Sequence, residues 1–85
     1  MIELTYQYVH SHHSIPHRYD IKIGEMAVGS LRIIPFYGEK NSIARYDQTI
    51  SWALDRHFTP DEVAFITKSI NDEVTLRNVT LRMTS

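Results

Sequence analysis

A chain of 85 residues holds one small domain, single from end to end, and leaves little room for a deep substrate pocket beside its core. Its 42% hydrophobic and 22% charged residues are those of a globular protein, and the lack of cysteine excludes disulfides, thiolate metal sites and a thiol nucleophile. A formal net charge of -1 disfavours a protein that works by neutralising phosphates, and no stretch approaches the ~20 apolar residues of a membrane span, so the expected setting is cytoplasmic.

Residues Ile2–His10 alternate. Ile2, Leu4, Tyr6 and Tyr8 share one side, and Glu3, Thr5, Gln7 and Val9 the other. This is the period of a half-buried strand, and it differs from the pattern of a signal peptide. Ser11–Arg18 is a polar interruption in which His12, His13 and His17 follow His10. Clustered imidazoles suit zinc, copper or nickel. No His-Glu-x-x-His spacing or cysteine accompanies them, so the expected role is a solvated strand connection, with no metal and no cofactor.

Tyr19, Ile21 and Ile23 alternate with Asp20 and Lys22, which predicts a second strand, and Gly24-Glu25 a tight turn. Met26–Pro35 predicts a third strand, with Met26, Val28 and Ser30 on one side and Leu31 and Ile33 on the other. Gly29 inside it marks a bulge or a close backbone approach. The stretch Tyr19-Asp-Ile-Lys-Ile-Gly-Glu-Met-Ala-Val-Gly-Ser-Leu resembles the central hairpin of GNAT-type acetyltransferases, over about a seventh of the chain. It implies a strand-turn-strand unit and no more. The Gln/Arg-x-x-Gly-x-Gly/Ala loop that holds the coenzyme A pyrophosphate in that family is absent.

Beyond a loop at 36–41, Asn41–Asp72 reads as two helices hinged at Phe58-Thr59. In the first, Ile43, Tyr46, Ile50, Ala53, Leu54 and His57 recur at helical spacing. Trp52 falls on the opposite side, among Arg45, Gln48 and Arg56, where it is either covered, against Phe65 of the next helix or under the Pro35–Tyr37 segment, or an exposed anchor for another protein. Thr59-Pro60-Asp61-Glu62 starts the second with a capping residue, a proline at the first helical position and a glutamate three residues on, while Phe58 and Val63 have the spacing of a hydrophobic staple. Val63, Ile66, Thr67 and Ile70 form its stripe, Phe65 lies opposite, and the helix is expected to fray near Asn71-Asp72. Val74–Met83 contains Val-Thr-Leu-Arg twice and reads as a bulged strand or, less favoured, a tiny hairpin.

The expected fold is α+β: two layers, a mostly antiparallel sheet of three to four strands with two helices on one face, in the order β-β-β-α-α-β. Tryptophan beside arginine is the composition of a binding hot spot. The expectation is therefore a small non-catalytic protein-binding module, a regulator or inhibitor of the size often encoded by phages and mobile elements. It would bind another protein through Trp52, Phe65, Arg45, Arg56 and Gln48. The alternative is a DNA-binding regulator of winged helix-turn-helix type, although Asp61, Glu62, Asp72 and Glu73 against Lys68 alone would repel phosphates. Tyrosines at 6, 8, 19, 37 and 46 also suit a chain that completes its core as a homodimer.

Overall fold

A computed structural model describes residues 1–10, 18–34 and 44–83. Strands β1 (Thr5–Val9), β2 (Arg18–Ile23), β3 (Met26–Ile34) and β4 (Arg45–Ile50) form one antiparallel sheet in the spatial order β1-β2-β3-β4. A 3-10 turn (Leu54–Arg56) follows, then one long helix, α1 (Pro60–Met83). The α+β architecture is as expected. Predicted regions at 11–17 and 35–43, including His12, His13, His17 and Tyr37, lie outside the described residues.

Alternation in the first two strands does what period two requires. Ile2, Leu4, Tyr6, Tyr19 and Ile23 pack against a core of Ile21, Val28, Leu31, Leu54, Ile66, Ile70 and Val74, while Glu3, Thr5 and Gln7 stay exposed. At the β2–β3 turn Gly24 has φ 60°, and no described non-glycine residue has a positive φ. A positive φ at the first central position alone is the II′ pattern, whose twist matches the flanking strands.

Gly29 serves both expected purposes. Ile21 pairs with Gly29 and Lys22 with Ala27, so Val28 is an extra residue in β3. That bulge resets the phase and lets Val28 and Leu31, three apart, both enter the core. A Cβ on Gly29 would collide with the carbonyl oxygen of Thr49 on β4.

Two elements differ from expectation. The first predicted helix is instead β4 and the short turn. Tyr46 and Ile50 are four apart, which is one helical turn but also two strand repeats, and β-favouring Tyr46, Thr49 and Ile50 resolve the tie. The predicted last strand is the second half of α1. The helix does not fray at Asn71-Asp72, because Ile70 and Val74 on either side are buried in the core; the i,i+4 pairs Lys68–Asp72 (2.6 Å) and Arg77–Glu73 (2.8 Å) add a little on the turns before and after.

The repeated Val-Thr-Leu-Arg takes a different meaning on a helix. Five residues rotate it by about 140°, so the two copies face different ways. Val74 is buried and Arg77 and Leu81 half-buried, whereas Leu76, Val79 and Arg82 are exposed. Thr75 and Thr80 donate their hydroxyls to the carbonyls of Asn71 (3.0 Å) and Leu76 (2.9 Å), one turn back.

The predicted hinge is present. The Thr59 N–H donates to Glu62 Oε1 (2.9 Å) and the Glu62 N–H to Thr59 Oγ1 (3.2 Å), a closed capping box. Phe58 and Val63 both pack against the core. The chain doubles back here, and α1 lies on the sheet chiefly against β4.

Candidate protein-binding surface

The end of β4 decides where the indole goes. The Ser51 N–H donates to the Val28 carbonyl (2.9 Å), the last rung of the ladder, and the Ser51 hydroxyl oxygen accepts from the Ala53 N–H (3.2 Å). The Leu54 carbonyl then accepts from both His57 (3.1 Å) and Phe58 (3.0 Å), closing the 3-10 turn. Leu54 is buried and anchors the turn to the core. Trp52, two residues earlier, is thereby turned outward and is 78% exposed. The Arg56 guanidinium carbon lies 4.6 Å from its ring centroid, a cation–π stack on the outer surface. His57, expected to be half-buried on a helical stripe, is an exposed residue closing this turn.

Phe65 is 53% exposed in the second turn of α1. With Met1, Ile2, Asp61 and Glu62 it lines an open, largely apolar depression of ≈ 350 Å³. Trp52 and Arg56 therefore form one contact, and Phe65 belongs to a depression at the start of α1. The remaining two sequence candidates serve elsewhere. The Gln48 Nε2 donates to Asn71 Oδ1 (2.6 Å) and ties β4 to α1. Arg45 opens β4, five residues from Ile50, which at strand rise is ~17 Å from the end that carries Trp52.

One cluster was not anticipated. The Arg77 guanidinium sits 4.5 Å from the Tyr19 ring centroid, 5.3 Å from Tyr6 and 5.6 Å from Tyr46, while its Nε donates to Glu73. Burial works against the Arg77 charge. The hydrogen bond and charge of Glu73, with help from Tyr19, more than offset it and raise the Arg77 pKa. Burial, then the Glu73 charge, raise the Tyr6 phenol above its ordinary 10.0, while Arg77 pulls it back. The Glu73/Arg77 spacing of four was the readable signal for this cluster.

No family model, curated protein or solved structure matches the chain. Among the described residues no three His, Asp or Glu side chains gather to hold a metal ion, and no helix is long and apolar enough to cross a membrane. The arrangement behind the DNA-binding alternative is missing among the described residues. A three-residue turn precedes the hinge where a helix was needed, and α1 occupies the stretch meant for the wing.

Proposed function

We propose that the protein is a small non-catalytic protein-binding module, a regulator or inhibitor that acts by capturing another protein. The observation that carries this reading is Trp52, 78% exposed and stacked under Arg56. An indole left in water forgoes the burial energy that large apolar side chains ordinarily gain. Tryptophan with an adjacent arginine is enriched among the few residues that dominate binding energy. Phe65, in its depression with Met1 and Ile2, offers a second apolar contact. Arg45 and Gln48 have no direct part in this surface.

Trp52→Ala tests the reading. With a partner recovered by affinity capture, the variant is expected to lose binding by at least ~30-fold, the effect of a hot-spot residue worth about 2 kcal/mol or more. Its far-ultraviolet circular dichroism should stay unchanged. Unfolding of the variant, or undiminished binding, would remove the basis for the proposal. Trp52 is the single tryptophan, so its fluorescence reports the same contact directly.

A further inference from the structure

The two outer strands of the sheet are treated differently. On β4 the backbone groups facing away from β3 belong to Tyr46, Gln48 and Ile50, since the Tyr46 N–H and carbonyl are both taken by the Asn78 side chain. Asn78 thus acts as a false strand. The Gln48 N–H is taken by Asp47 Oδ1 (2.9 Å). Alternation of an antiparallel ladder, carried through the pairings Asp47–Arg32, Leu31–Tyr19 and Asp20–Gln7, fixes the parity at the other border. There, Tyr6 and Tyr8 turn their backbone groups away from β2.

β1 reads Thr5-Tyr6-Gln7-Tyr8-Val9, nearly a palindrome. It contains no charge, no proline and no bulge, the usual guards of an outer strand. We propose that β1 is a self-association edge, on which two copies of this chain pair antiparallel about a two-fold axis at Gln7. In that register Tyr6 meets Tyr8 of the second copy, and the reverse, so the residues whose backbone faces outward are the ones brought opposite each other. Thr5 meets Val9, a match of two β-branched side chains. Tyr8 is 45% exposed and stands edge-on to Tyr19 at 5.4 Å, so the pairing extends an aromatic row across both sheets. No like charges oppose one another within the strand. Gln7 meets its own copy at the axis as a non-hydrogen-bonded pair, where side chains approach most closely.

Sedimentation equilibrium of the full chain over a concentration series tests this. The unsubstituted chain is expected to form a dimer. Gln7→Lys and Gln7→Glu each set like charges against each other at the axis, on an exposed position opposite Asp20 of β2, and should weaken the dimer at least ~10-fold, with Gln7→Lys, whose charge suits Asp20, the variant that leaves its own sheet unstrained. An equimolar mixture of the two should restore it as a heterodimer. Circular dichroism of each variant should match the parent, and Trp52→Ala should leave the association constant unchanged. A chain that stays monomeric at every concentration overturns the proposal. So does a dimer indifferent to both Gln7 substitutions and split by Leu76→Glu on the outward side of α1.

Discussion

The side-chain amide of Asn78 grips both backbone groups of Tyr46: its Oδ1 accepts the Tyr46 N–H at 2.6 Å, and its Nδ2 donates to the Tyr46 carbonyl at 3.1 Å. Asn78→Ala leaves a part-buried backbone pair without its partner and is expected to cost about 1–3 kcal/mol. Asn78→Asp keeps the acceptor but replaces the donor by a carboxylate oxygen set against the carbonyl, and should also destabilise. Chemical denaturation checks both. A loss within a few tenths of a kcal/mol for Asn78→Ala would show that the contact does not hold α1 to β4.

Two glycines separate steric from conformational cost. Gly29→Ala forces β3 and β4 apart at the Thr49 carbonyl and should destabilise by about 1–3 kcal/mol. Gly24→Ala meets nothing within 4 Å and suffers only from its φ of +60°, about 1 kcal/mol. Thermal melts of the two variants should rank them in that order.

The capping box at the hinge is exposed, so its effect is modest and clean. Thr59→Ala should lower stability by about 1 kcal/mol. Glu62→Gln retains an acceptor for the Thr59 N–H and should lose less than Glu62→Ala. Urea titration distinguishes the three.

Tyr6 makes stability fall in alkali. Its folded pKa is raised above its unfolded value, so its contribution is whole below the unfolded value near 10 and is lost as pH rises through the folded one. The midpoint of denaturation should drop above about pH 10, and Tyr6→Phe should shrink that drop. Since the Glu73 charge helps raise this phenol, Glu73→Gln should move its titration back toward the ordinary value, as followed by ultraviolet absorbance.

How much was legible depends on whether a residue spacing admits one period or two. Tyr6 and Tyr8, or Tyr19, Ile21 and Ile23, repeat at two and not at four alone, and their strands were read as they are. Tyr46 and Ile50 satisfy both periods, and the β-favouring residues there decide for a strand together with partners in β3 that are remote in sequence. Val74, Leu76, Val79, Leu81 and Met83 nearly alternate, which concealed a helix held by local pairs such as Lys68–Asp72. The hinge was readable because capping is local chemistry. Trp52 is exposed, the second of the two readings its place left open, and the cause is the Leu54-anchored turn and not the far side of a helix. The gathering of Tyr6, Tyr19 and Tyr46 around Arg77 joins that arginine to residues more than 30 positions away, so the sequence showed only its local pair with Glu73.

Asn78 and Asp47 also bear on how large an aggregate can grow. A flat ribbon lengthens without limit when each added unit presents a fresh border, as in fibrils. Here the Tyr46 N–H and carbonyl and the Gln48 N–H on one border are already taken from within by an amide and a carboxylate. Stacking through the opposite border leaves on each particle a border whose first rungs are taken, so even concentrated solutions should contain discrete particles and no filaments.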